Sequence, residues 1–328
     1  MIAFIVFLRA LAACIITNAH YVGVYPNDII ASGGLIGDVL FFAVSGYCLY
    51  NIKYPLGFKG FIRWYGRRVW RIFPPVVIIT AVYMLVGFYK LGHYDLVWWY
   101  LYPTAYHFVV SILLLYIPYF FIIKIEALKS RLPLVMLAVF AAYLVLYFTV
   151  YDKSAYHIDN VREPMIRFIY FESMLLGAWF RRNDEKYRGR FSPIHPIAAL
   201  LFAGAYFALK MLFTKRPEAG SFQFAGQLAV FAVLFFTFRT FMGLDGRLSR
   251  APKWVMKPVS FIAGAALEIY VVQSQLIIWI NRFGIPFPLN WLVITAAILL
   301  AGFLLHAVCG LLYRLTDRLL KRDGKTSA

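Results

Sequence analysis

Residues 133–151 read PLVMLAVFAAYLVLYFTVY, a run without one charged side chain. A helix that crosses a membrane needs about 20 predominantly apolar residues, and this run meets the requirement by itself. Similar runs lie at 2–22, 34–52, 72–90, 104–123, 164–180, 194–213, 222–241, 258–281 and 289–313. Together they predict an all-α polytopic membrane protein, a bundle of about ten transmembrane helices. The apolar but interrupted stretch 94–103, from Tyr94 to Pro103 with Trp98 and Trp99, reads as an interfacial or re-entrant lead-in to the fourth span. The composition agrees: 62% of the 328 residues are hydrophobic and 15% charged, where soluble domains are near half apolar and one quarter charged. A soluble enzyme, a disordered chain and a fibrous protein are excluded on that basis. Cys14, Cys48 and Cys309 all sit in apolar runs, which gives neither a disulfide framework nor a metal-binding spacing.

Lysine and arginine set the expected orientation. Of 33 such residues, 24 fall after the even-numbered spans or in the C-terminal tail, from Lys53 in the first of these loops to Lys325 in the last. Cytoplasmic loops carry the excess of basic residues, so both termini are expected in the cytoplasm. The same alternation explains the net charge of +18 without a nucleic-acid partner. The first span has no basic leader, and Arg9 interrupts its apolar core, unlike a cleaved signal peptide. Residues 1–328 are expected to form a single membrane domain without a separate soluble one.

Ionisable side chains inside a membrane are costly and mark function by default. Within the expected spans these are Arg9, His20, Asp38, His107, Glu172, Glu268 and His306, with Arg167 at the outer end of the sixth. Arg9 and His20 are eleven residues apart, roughly 1100° of helix, so they share a face about 16 Å apart along the axis. A helix face with a cation at one level and an imidazole above it suits a cavity rather than lipid, though a polar helix–helix contact would give the same pattern. A histidine can take a proton near neutral pH, so His20 suits a general base, and Asp38, Glu172 and Glu268 are available to orient its ring. In the first basic loop, Arg63, Arg67, Arg68 and Arg71 crowd one side of any helix they share. Guanidiniums so grouped suit phosphate recognition; anionic lipid headgroups are the competing explanation.

Four segments in order resemble the acyltransferase family 3 membrane proteins, bacterial enzymes that O-acylate cell-surface glycans. They are Arg9 through His20, similar to the family's Arg-x10-His pattern; FFAVSGY at 41–47; RRVWRIFP at 67–74; and LEIYVVQ at 267–273. Weaker matches are Tyr106-His107-Phe108 and the run from Tyr170 through Glu172 to Gly177. The chain departs from the family in two places. Val6 stands where many members have an acidic residue, and Val109-Val110 follow His107 where a Trp-Phe pair is common. No SGNH-type hydrolase domain is appended, so any transfer falls to the membrane unit or to a separate partner.

The resemblance implies an O-acetyltransferase of the bacterial inner membrane, moving an acyl group, above all acetyl, from cytoplasmic acyl-CoA to a hydroxyl of a cell-surface or lipid-linked glycan. Acetyl-CoA is the expected donor and no metal is expected. The expected partners are acyl-CoA, a glycan or lipid-linked saccharide acceptor and membrane lipids. His20 is expected to act as general base or transient acyl carrier, with Arg9 at the donor and Glu172 or Glu268 orienting the imidazole. Arg67, Arg68 and Arg71 are expected to bind the phosphates of CoA. Asp38, His107, Glu268 and Ser45 are expected at the substrate. Oxyanion donors are expected from Arg9 or from backbone N–H groups near Ser45-Gly46. Two competing readings are a secondary transporter and a non-catalytic component of a glycan-export assembly. The absence of an inverted repeat or of matched Gly/Pro-broken spans counts against the transporter.

Overall fold

The structure is a computed structural model that describes the chain except residues 1, 91, 93, 94, 102, 104, 105, 161–163 and 324–328. Tyr94, the start of the expected re-entrant stretch, and Lys325 of the basic tail therefore lie outside the described residues. Among the described residues there is no strand. Fourteen α-helices follow one another: α1 (Ala3–Ala19), α2 (Gly34–Leu49), α3 (Phe58–Leu85), α4 (His107–Lys124), the short α5 (Glu126–Lys129), α6 (Leu132–Thr149), α7 (Ile166–Arg182), the short α8 (Asp184–Tyr187), α9 (Ile194–Lys215), α10 (Phe224–Gly243), the short α11 (Asp245–Leu248), α12 (Lys253–Gly264), α13 (Ala266–Asn281) and α14 (Leu289–Asp323). Trp98 and Trp99 fall in a single π-helical turn, Val97–Leu101.

The expected count of ten spans is not reached. Among the described residues, seven helical segments are long and apolar enough to cross a membrane: Asp28–Leu49, α3, α4, α6, α9, α10 and Leu289–Asp317 of α14. The pair α12 and α13, bent by 74° at its break, makes an eighth if taken as one span. The difference is physical. Helices α1 and α7 have 17 residues each, a rise of about 26 Å against a hydrocarbon core of about 30 Å. Helix α7 also carries Arg167, Glu172, Arg181 and Arg182.

The chain divides into two compact units. The first comprises Met1–Ile16, Gly33–Gly66 and His107–Ala263; the second comprises Thr17–Ser32, Arg67–Tyr106 and Gly264–Ala328. Helices α2 and α7 form the centre of the first unit. A Cβ added to Gly46 would lie 2.0 Å from the Met174 carbonyl oxygen, and one added to Gly177 would lie 1.9 Å from that of Ala43. Only glycine admits backbones this close. Asp38, Phe42 and Gly46 recur every four residues and so form one stripe of α2, facing Tyr170, Met174 and Gly177 of α7. Asp38 meets Tyr170 and Gly46 meets Met174. The contacts thus advance in the same sense along both helices, which run parallel. Tyr119 of α4 adds a hydrogen bond to the Gly46 carbonyl at 2.6 Å.

One end of this unit is held by charge. The backbone N–H of Phe4, in the first turn of α1, has no partner within its own helix. It donates instead to Asp245 Oδ1 at 3.0 Å. Asp245 is buried, and its other oxygen takes Arg188 Nε at 2.7 Å. Asp184 accepts the Tyr47 hydroxyl at 2.6 Å. In the second unit, α13 and α14 pack where Gly302 meets Ile269. There Tyr83 donates to the Val272 carbonyl at 2.6 Å, and Asn290 donates to that of Val24 at 2.7 Å.

Gly177→Ala should therefore destabilise the protein by about 3 kcal/mol, the upper range for forcing atoms into a packed core. Gly204→Ala, in the middle of α9, is the control, because its added methyl group meets nothing within 4 Å. There the better helix propensity of alanine should hold or raise stability, by up to about 1 kcal/mol. Thermal unfolding of both variants in one detergent checks the pair.

Candidate functional site

His20 stands one residue beyond α1, where its backbone N–H still bonds the Thr17 carbonyl at 3.0 Å. The chain then turns away from the helix, and the half-buried ring meets α13 of the same unit. His20 Nδ1 lies 3.2 Å from Gln273 Nε2, and the Tyr270 ring packs edge-on against the imidazole at 6.3 Å. Gln273 is fully buried. Tyr106 also packs against Tyr270, with ring centroids 6.3 Å apart, and its hydroxyl lies 3.2 Å from that of Tyr89. The LEIYVVQ segment thus brings Tyr270 and Gln273, three residues apart and so on one helix face, to the histidine.

A carboxylate is the partner expected for His20, and the structure places an amide there. The three carboxyl groups are engaged or held elsewhere. Glu268, buried in the first turn of α13, pairs with His306 Nδ1 of α14 at 3.1 Å. Asp38, buried on α2, accepts the Tyr170 hydroxyl at 2.7 Å, and Tyr170 also stacks on Phe42 at 4.4 Å. Glu172, buried on α7, makes no hydrogen bond to a described residue.

The amide has a chemical consequence. When its N–H donates to Nδ1, the neutral imidazole carries its proton on Nε2. When the amide oxygen faces Nδ1 instead, the proton sits on Nδ1 and Nε2 keeps its lone pair. Gln273 Oε1 is buried without a partner among the described residues in the first orientation. The second orientation pairs that oxygen and turns Nε2 into a proton acceptor. An amide therefore selects the basic tautomer by rotating, but brings no negative charge to the imidazolium.

The other expected site residues fall as follows. Arg9 is half-buried on α1, beside the cluster of Val6, Ala10 and Ala263, and makes no ion pair with a described residue. Arg67, Arg68 and Arg71 share the helical α3, with Arg67 and Arg71 exposed and Arg68 half-buried. The chain past this cluster is fastened by the Tyr313 hydroxyl, which donates to the Arg71 carbonyl at 3.1 Å. His107 opens α4 and is half-buried. Ser45 is half-buried within α2. The backbone N–H groups around Ser45-Gly46 lie in the body of that helix, where they are spent on i−4 carbonyls. They are not free to bind an oxyanion, and the pair serves the α2–α7 approach instead.

Three residues that do much of this work were given no role in the sequence reading. Tyr170 and Gln273 sit inside the quoted segments, but nothing in their spacing shows what they touch. His306 stands among the intramembrane ionisable groups, and its pairing with Glu268 spans 38 residues. Among the described residues, no group of three or more His, Cys, Asp or Glu side chains is placed to hold a metal ion.

Asp38→Ala should remove the hydrogen bond that the Tyr170 hydroxyl donates across the α2–α7 contact. The expected cost is about 1 kcal/mol, that of one intramolecular hydrogen bond. The double variant with Tyr170→Phe should lose less than the two single variants together, as read by thermal unfolding.

No curated protein and no solved structure matches the chain. A family model does: the acyltransferase domain of acyltransferase family 3 matches residues 2–311, nearly the whole chain. With its apolar helices and its buried polar groups, the protein belongs to the acyltransferase 3 family and is a membrane acyltransferase.

Proposed function

We propose that this acyltransferase moves an acetyl group from cytoplasmic acetyl-CoA to a hydroxyl of a cell-surface or lipid-linked glycan, in a bacterial inner membrane and with both termini in the cytoplasm. The observation that carries the reading is the half-buried His20, held at Nδ1 by the buried amide of Gln273 in a chain that matches the family over residues 2–311. A histidine whose ring is oriented by a neutral amide at one nitrogen is suited to proton transfer from a hydroxyl.

In this mechanism His20 Nε2 takes the proton of the acceptor hydroxyl as its oxygen attacks the thioester carbonyl carbon. Collapse of the tetrahedral species breaks the carbon–sulfur bond. The imidazolium returns the proton to the departing thiolate, giving free CoA and the ester. Arg9 supplies positive charge to the donor or to the developing oxyanion. Arg67, Arg68 and Arg71 bind the donor's phosphates, and guanidiniums on an exposed helix fit that anionic chemistry. The neutral Gln273 stabilises the imidazolium less than a carboxylate would, so His20 works through orientation more than through raised basicity.

Two measurements test the proposal. The first is the O-acetyl content of surface polysaccharide, read by NMR in a deletion strain complemented at matched membrane abundance. Wild type should restore acetyl esters, while His20→Ala and Arg9→Ala should not; equal restoration by all three would remove these residues from the chemistry. The second is transfer by the purified protein. Arg68→Ala and Arg71→Ala should each raise KM for acetyl-CoA about tenfold, as for loss of a charge-assisted hydrogen bond, with a smaller effect on kcat. The same variants should also show a weaker dependence of KM on salt.

A further inference from the structure

Helices α6, α7 and α10 of the first unit enclose a hollow of about 320 Å³, within the size range of small-molecule sites. Its walls are almost wholly apolar, among them Met136, Leu137, Phe140 and Leu228. Leu137 and Leu228 are 63% and 44% exposed, so its rim belongs to the apolar outer surface of helices that pass for membrane spans. Three polar side chains break this lining, and one of them, the buried Gln227, is spent on the Ile158 carbonyl, to which its Nε2 donates at 3.2 Å. Glu172, 8% exposed, and Tyr143, 4% exposed, both face it. Glu172 Oε1 and the Tyr143 hydroxyl are buried and have no hydrogen-bond partner among the described residues.

An unmet carboxyl oxygen and an unmet phenol in such surroundings are costly. A crevice meant only for bilayer chains would be better lined by leucine. A hydrocarbon chain alone fits the walls but leaves both groups unsatisfied. A fatty carboxylate would set its charge against Glu172. An alkylammonium would satisfy Glu172 but could not accept from the phenol. A hydroxyl head does both: its O–H donates to the carboxyl oxygen, and its oxygen accepts from Tyr143.

We infer that the hollow between α6, α7 and α10 is a binding site, entered from the bilayer, for a single hydrocarbon chain headed by a hydroxyl group. This assignment is independent of the transfer chemistry proposed for His20, and its test does not read acyl transfer.

The test uses the full chain in phospholipid nanodiscs and a long-chain alcohol carrying a diazirine, with the matching diazirine alkane as comparison. After photolysis, the labelled peptides are mapped by mass spectrometry. The alcohol should label α6, α7 and α10 in preference to the alkane, and unlabelled alcohol should compete. Glu172→Leu should reduce labelling by the alcohol about tenfold, the loss of a hydrogen bond in an apolar site, and leave the alkane unchanged. Leu228→Trp, which fills the hollow, should reduce both. Equal labelling by alcohol and alkane in the wild type, with no effect of Glu172→Leu, would overturn the inference: bilayer chains would then occupy the hollow indiscriminately. If Glu172→Leu fails to fold, Tyr143→Phe and Leu228→Trp decide the matter, and unchanged labelling in both overturns it.

Discussion

The carbonyl oxygens of Ala43 and Met174 occupy the space that side chains at positions 177 and 46 would fill. This mutual approach of α2 and α7 is the constraint on which the first unit rests. It brings the Asp38–Tyr170 hydrogen bond and the Phe42–Tyr170 stack into register. It also fixes the rotation of α7, and with it the placement of Glu172 at the hollow shared with α6 and α10. In a membrane the water-driven gain of apolar burial is missing between helices, so close packing and interhelical hydrogen bonds carry more of the association. Asp38 and Tyr170 are then a directional contact inside a glycine-dependent fit, and their stripe sets the register of two parallel helices.

The second unit solves a different problem. It holds a histidine at the end of a short helix with groups from α13: an amide at one ring nitrogen and a tyrosine ring at its face. An amide rotates between donor and acceptor, whereas a carboxylate only accepts. The protein thereby controls a tautomer through a neutral group at that nitrogen. Glu268, four residues before Tyr83's acceptor Val272 on the same helix, is paired with His306. Its structural effect is to tie α13 to α14.

The membrane class, the helical composition and the ordered family segments were legible in the sequence, because apolar runs and motif spacing are local properties. The span count was less so. Runs at 2–22 and 164–180 read as spans, yet their helices stop at 17 residues, since the termini depend on what the neighbouring chain does. The oxyanion role suggested for the backbone near Ser45-Gly46 failed for a related reason: a Ser-Gly pair looks the same whether it lies at a helix end or, as here, within one.

By itself, the sequence determined that this chain must lie in a membrane, that it carries the acyltransferase 3 motifs in order, and that His20, Arg9 and the arginines of α3 are its chemically distinctive groups. Tertiary structure alone decided which polar groups meet. Asp38, Glu172 and Glu268 are equivalent candidates as letters, and become a hydrogen-bonded helix contact, an unmet group at a hollow and a partner of His306. The reason is that hydrogen bonding is short-ranged and directional. Its outcome depends on helix rotation and approach, which arise from packing over distant segments and leave no local mark in the chain.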